Sequence, residues 1–94
     1  MKGYTYILRC SNGQFYVGST TDLEKRLLEH NTGIGSEFTK RNRPVELVYY
    51  EEYDRIDQAF YREQQLHKWS HKKKEALING DYDLLKSLSH KQMK

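Results

Sequence analysis

Along the first twenty residues the apolar and aromatic positions fall into two runs of extended character. Tyr4-Thr5-Tyr6-Ile7-Leu8-Arg9-Cys10 and Phe15-Tyr16-Val17-Gly18 are rich in β-branched and aromatic residues, and Ser11-Asn12-Gly13-Gln14 stands between them. Asn-Gly between such runs signals a hairpin, because both residues tolerate the positive φ that a tight reversal needs. Turn length then decides which side chains share a face. A two-residue Asn12-Gly13 turn pairs Arg9 with Tyr16 and puts Tyr6 and Tyr16 on opposite faces. A three-residue turn, with Gly13 left-handed in a bulge, pairs Leu8 with Tyr16 and Tyr6 with Gly18, so the two tyrosines face the same way. The sequence leaves both registers open.

The pattern then changes period. Leu23, Leu27 and Leu28 lie at helical spacing, Thr21 with Glu24 forms a capping box, and Asp22 suits the positive end of a helix dipole, which predicts a helix from about Asp22 to Asn31 ended by Gly33. Residues 32 to 44 contain Gly33, Gly35 and Pro44 and show no periodicity, so they read as a long functional or mobile loop. Val45 to Tyr50 gives a third strand. Ile56, Ala59, Phe60 and Leu66 mark an amphipathic helix over about Arg55 to Trp69. Ser70 caps a short basic helix through Ile78, ended by Asn79-Gly80, and Asp81 caps a last one through about Leu88. The order β-β-α-β-α followed by short helices predicts an α+β fold, a three-stranded antiparallel sheet flanked by helices. Residues 1–94 have room for one domain and one modest core.

Composition narrows the setting. Hydrophobic residues are 36% and charged residues 31% of the chain, as in a folded globular protein. No apolar run approaches the roughly 20 residues that span a bilayer. Met1 to Arg9 lacks the apolar stretch of a signal peptide, so a cytoplasmic location and no membrane partner are expected. Cys10 is the single cysteine, which excludes an internal disulfide. The net charge of +3 is uneven: residues 1 to 66 carry nine Lys/Arg against ten Asp/Glu, and residues 67 to 94 carry seven against three. Lys72, Lys73 and Lys74 in that basic end, with Lys40, Arg41 and Arg43, are the candidates for following a phosphate backbone. The bland alternative is a solvated face that aids solubility.

Glu63 is the most conspicuous candidate for chemistry. It lies seven positions after Ile56, four after Ala59 and three after Phe60, so the helix carries a carboxylate onto its own apolar face. There it needs a metal ion, hydrogen-bond donors or an arginine partner. Arg26 and His30, four apart, flank the face set by Leu23 and Leu27 and can reach one anion together. Pairing of Arg26 with Glu29, and a helix-end role for His30, are the structural alternatives. The strand tyrosines Tyr6 and Tyr16 can equally be packing residues. His67 and His71 are also four apart, but a helix break at Ser70 and the lack of a third ligand argue against zinc there.

Together these residues resemble the GIY-YIG nuclease superfamily, found in homing and restriction endonucleases and in the incision nuclease of bacterial excision repair. The match runs from Tyr4 to about Trp69. Tyr4-Thr5-Tyr6 stands at the first motif, of which only the tyrosine remains, and Tyr16-Val17-Gly18 is the second. The stretch from Gly18 through Leu23 to Arg26 looks like the loop and helix that bring in the family's arginine. His30 falls where some members carry a histidine, and Tyr61-Arg62-Glu63 falls at the metal-binding glutamate. Asn79 is the nearest counterpart of an asparagine that some members place later. The whole most resembles the small stand-alone bacterial branch, and also the catalytic domain of a eukaryotic structure-specific nuclease.

The resemblance implies a metal-dependent endonuclease acting on DNA. It assigns Glu63 to a divalent ion, Mg²⁺ with Mn²⁺ as the alternative, and Arg26 to the charge of the transition state. Tyr6 would be the general base or its relay, and Tyr16 and His30 would orient water and phosphate. Target choice would be by structure, as in repair of branched or damaged DNA, with a protein partner supplying specificity. The competing expectation is a catalytically silent nucleic-acid-binding module that acts with a protein partner, which would need the charge but not this grouping.

Overall fold

The hairpin closes with the three-residue turn. In the computed structural model, which describes residues 1–92 and their side chains through residue 89, β1 (Gly3–Arg9) and β2 (Phe15–Thr20) are antiparallel, with Leu8 opposite Tyr16 and Tyr6 opposite Gly18. Gly13 sits at φ 86° and donates its N–H to the Cys10 carbonyl. Tyr6 and Tyr16 therefore share a face.

Two helices follow where one was predicted. In α1 (Leu23–Thr32) the cap is Asp22 rather than Thr21: its carboxylate accepts from the Lys25 N–H, while its own N–H goes to the Thr20 hydroxyl. Gly33, at φ 90°, ends the helix. The expected loop contains α2 (Glu37–Arg41), a five-residue helix capped by Ser36, too short to show periodicity. The strand β3 (Glu46–Tyr53) runs three residues beyond the predicted Tyr50. Glu51 is tolerated in it because Tyr49, Tyr53 and Arg62 all donate to its carboxylate. A bulge opposite Ile7 and Leu8 turns both Val48 and Tyr49 toward the same core. Beyond it come α3 (Ile56–His67), α4 (His71–Ile78) with the expected Ser70 cap, and α5 (Tyr82–Gln92), longer than expected.

The sheet order is β2-β1-β3, so β1 is central and β2 lies at an edge. One face, with Tyr6, Leu8 and Cys10, packs against Leu23, Leu27, Phe38 and Val45. The other, with Ile7 and Val17, packs against Leu66, Trp69 and Leu77. Thr5 is wholly buried between β1 and α3 and donates to the Ala59 carbonyl. Phe60, counted from its spacing as part of the apolar face of α3, is instead 54% exposed. No helix among the described residues is long and apolar enough to cross a membrane.

Candidate active site

Tyr6 points from the central strand toward α1, and its ring lies across Gly18 of the edge strand. A methyl group at Gly18 would overlap the Tyr6 hydroxyl. Only a missing side chain lets the phenol cross β2 and bring its oxygen to the rim of the sheet. There the hydroxyl lies 2.9 Å from Nε2 of His30, whose Nδ1 lies 2.8 Å from the Thr39 hydroxyl. His30 and Thr39 are both wholly buried. His30 is therefore no solvent-facing helix-end histidine; its ring is clasped between β1 and α2. Tyr16 sets its ring edge-on to the imidazole at 5.1 Å between centroids and stacks on Phe38.

Electrostatics fix the resting protonation. Burial pushes the Tyr6 phenol up to about 12, against the downward pull of the Arg26 guanidinium beside it. Burial also lowers His30 to about 4, and the positive charge of Arg26 acts in the same direction. Near neutral pH the phenol keeps its proton and the imidazole is uncharged. Arg26 bonds Glu29 at 3.2 Å, the pairing that its helical spacing allowed.

The His30 shift has a measurable consequence. An unfolded chain protonates His30 near its ordinary 6.5, whereas the folded protein resists until about 4. The unfolded state thus binds more protons within that window. This contribution to stability is complete above pH 6.5 and falls as pH drops toward 4, by up to about 3 kcal/mol. Urea unfolding at pH 7 and 4.5 measures it, and a His30→Gln variant should lose less stability over the same interval than the wild type.

Glu63 comes from the other side of the sheet. Ser19, next to Gly18, points to the opposite face by the strand's alternation and donates to the Glu63 carboxylate at 2.6 Å. The second carboxylate oxygen is 3.0 Å from Nε2 of His67, one helical turn on. Among the described residues the Glu63 ion pair is with His67 rather than an arginine, and the neighbouring Arg62 pairs with Glu51. The structure thus brings Tyr6, Tyr16, Arg26 and His30 together on one face and sets Glu63 on the other. The two sets meet at Gly18-Ser19 on the rim, close enough that the Glu63 charge acts on the Tyr6 phenol. With one protein donor to each oxygen and a side chain 15% exposed, Glu63 keeps lone pairs for an ion. Among the described residues no three His, Cys, Asp or Glu side chains are grouped to hold a metal. That donor set fits an ion such as Mg²⁺, which takes one or two carboxylates and completes its shell with water and phosphate oxygens.

The basic candidates divide. Lys40, Arg41 and Lys72 are exposed and Lys74 is half-buried. Arg43 is spent on the carbonyls of Lys40 and Asn31, tying α2 to the end of α1. Lys73 is instead 5% exposed, with its ammonium 4.1 Å from the centre of the Trp69 ring. His67 serves Glu63 and His71 stacks on Phe15 at 4.3 Å, so the two histidines are engaged apart. Asn79 is an exposed C-cap of α4. No sequence pattern singles out Ser19, Ser36, Thr39 or Gly35 for these contacts, and Gly18 stands out only as part of the second motif. The one signal for Ser36 was a serine preceding Glu37, a cap with an acidic first turn.

Comparison with known proteins gives the family. A family model described as the GIY-YIG catalytic domain matches residues 2–76. A UPF0213 protein of Staphylococcus saprophyticus is 44% identical over 78 residues, covering 83% of this chain and 95% of the relative. Another from Syntrophus aciditrophicus is 46% identical over 78 residues, covering 82% and 90%. Among solved structures, the solution NMR structure of a UPF0213 protein from Bacillus halodurans superposes with a TM-score of 0.55 at 34% identity, covering 84% of each chain. An E. faecalis protein solved in the same way gives 0.58 at 33%, covering 87% and 88%. With a tyrosine, an arginine, a histidine and a glutamate set about the second-motif glycine, and with four fifths of its length matched, the chain belongs to the GIY-YIG nuclease family.

Proposed function

We propose that the protein is a metal-dependent endonuclease that hydrolyses DNA phosphodiester bonds and selects its substrate by structure. One observation carries this reading: the Tyr6 hydroxyl with its His30 partner, the Arg26 guanidinium and the Glu63 carboxylate all approach the sheet rim at Gly18 and Ser19. Phosphodiester hydrolysis needs a place for the water's proton and compensation of charge on the phosphate.

A phenol held at about 12 is protonated at neutral pH and accepts a proton only by passing on its own. As water attacks phosphorus, its proton goes to the Tyr6 oxygen while the Tyr6 proton moves to Nε2 of His30. The new P–O bond forms, the bond to the leaving sugar oxygen breaks, and that oxygen takes a proton from solvent. An incoming phosphate adds negative charge beside His30, which raises the imidazole's hold on the transferred proton. Arg26 turns from Glu29 to the phosphate, where its planar fork offers two parallel hydrogen bonds. A divalent ion held through Glu63, Mg²⁺ or Mn²⁺, would neutralise charge on the phosphate oxygens. Lys40, Arg41 and Lys72 lie exposed for backbone phosphates, contacts that position DNA without reading its sequence. Branched or damaged repair substrates fit that mode, with a protein partner refining the choice.

The test is cleavage of duplex, single-stranded, flap and four-way DNA with Mg²⁺ or Mn²⁺, comparing wild type with Tyr6→Phe. The variant should lose about 10²- to 10⁴-fold in kcat on the preferred substrate. Binding without cleavage of any substrate by the wild type would favour the silent binding module instead.

A further inference from the structure

The hydrogen bonds around His30 run in one direction, and the groups at both ends set it. At the outer end Arg26 stands beside the Tyr6 oxygen, and a guanidinium can only donate. Its positive charge draws the phenol's lone pairs to that side, and the phenol proton faces Nε2 of His30 at 2.9 Å. At the inner end the Thr39 hydroxyl lies 3.0 Å from the Ser36 carbonyl, which can only accept. The Thr39 proton placed on that carbonyl, which also takes the Lys40 N–H, leaves the Thr39 oxygen, 3.2 Å from the Ser36 hydroxyl, to accept from Nδ1 of His30 at 2.8 Å. One imidazole satisfies both ends together: protonated on Nδ1, with a bare lone pair on Nε2.

We infer that Thr39, anchored by Ser36 at the start of α2, is a positioning residue that holds His30 in the Nδ1–H tautomer and so keeps Nε2 ready to receive the Tyr6 proton. The role in catalysis rests on the nuclease reading; the tautomer does not. The surroundings leave the ring little choice. Ser36 is the cap of α2, its hydroxyl accepting the Thr39 N–H, so the residue that anchors Thr39 is fixed by the helix it starts. A methyl group at Gly35 would overlap the imidazole, so the loop closes on His30 because that position is bare. The groups facing the ring are Tyr6 from β1, Tyr16 from β2, Thr39 from α2, and Arg26 and Glu29 from its own helix. Tyr16 meets it ring to ring. Thr39 is thus the partner that directs Nδ1. Besides setting Phe38 against Tyr16, α2 thus buries one hydroxyl against one histidine.

The experiment pairs two readouts on the whole protein. Long-range ¹H–¹⁵N correlation of the imidazole nitrogens at pH 7 should show wild-type His30 as a single tautomer with the proton on Nδ1. Thr39→Val, close in shape but lacking the hydroxyl, should shift it to a mixture or to Nε2–H, and Thr39→Ser should restore it. On whichever DNA substrate the wild type cleaves, Thr39→Val should lower kcat roughly tenfold with KM little changed, and Thr39→Ser should recover most of it. Wild-type His30 protonated on Nε2, or an unaltered tautomer in Thr39→Val, overturns the inference. If Thr39→Val does not fold, the wild-type and Thr39→Ser spectra still decide the direction of the chain. Absence of cleavage by the wild type, with the Nδ1–H tautomer present, would sink the nuclease reading and leave the assignment standing as a structural one.

Discussion

Glu63→Ala should abolish Mg²⁺-dependent cleavage, by about three orders of magnitude or more, while leaving a folded protein. The size follows from the several kcal/mol that charge neutralisation by a metal ion contributes to a phosphoryl transition state, at about 1.4 kcal/mol per factor of ten. The structural cost is smaller because Glu63 loses only its bonds to Ser19 and His67, at a partly exposed position. That is about 2 kcal/mol for the two bonds, or some 8–16 °C in Tm for a domain this small. Glu63→Gln separates the two roles. The amide can still accept from Ser19, so its Tm should stay near that of the wild type, but it lacks the charge and should cleave as poorly as alanine. Cleavage assays with thermal melts on all three proteins check this; wild-type rates in either variant would remove Glu63 from the chemistry.

What the sequence made legible was mostly local. The hairpin, α1, α3 and the Ser70 cap follow from turn chemistry and periodicity, and Glu63 stood out because a carboxylate on an apolar face requires an explanation. Register was not legible, since both turn lengths satisfy Asn-Gly; Gly13 resolves it by taking the bulge conformation. That one residue of offset decides whether Tyr6 and Tyr16 meet at all. Thr21 has the cap signature with Glu24, but the Thr20 hydroxyl takes the Asp22 N–H and the Asp22 carboxylate becomes the cap. The short α2 was hidden because five residues cannot display a period, and with it the Thr39 and Ser36 contacts to His30.

Partners distant in sequence were the other blind spot. Nothing local says that Ser19 will meet Glu63, 44 positions away, or that Glu51 rather than Glu63 will take Arg62. Lys73 looks like its neighbours Lys72 and Lys74 in a basic run, yet its ammonium lies over the Trp69 ring. Two sheet faces contribute to the site for the same reason. Alternation along β2 sends Ser19 one way while bare Gly18 admits the phenol from the other, so the candidate residues lie on both sides of the strand's edge rather than on one surface.

Gly18→Ala is the sharpest consequence of that arrangement. The backbone at Gly18 is ordinary for a strand, with none of the positive φ found at Gly13, Gly33 and Gly80, so alanine brings no conformational strain of its own. Its effect is steric: the added methyl falls where the Tyr6 hydroxyl and the adjoining ring carbon lie. Tyr6 is 2% exposed and packed with Leu8, Cys10 and Val45, so the ring cannot swing away cheaply. A displacement near 1 Å should part the hydroxyl from His30 and cost at least about 100-fold in kcat, with an overpacking penalty of about 1–3 kcal/mol in stability. Chemical unfolding and single-turnover cleavage measure the two effects separately. In the Tyr6→Phe background the stability penalty should persist, because the ring carbon still meets the methyl. The kinetic losses should fall well short of adding, because the hydroxyl whose position Gly18 protects is already gone. Full kinetic additivity, or a Gly18→Ala protein that turns over at the wild-type rate, would mean that Tyr6 acts from somewhere other than across the edge strand.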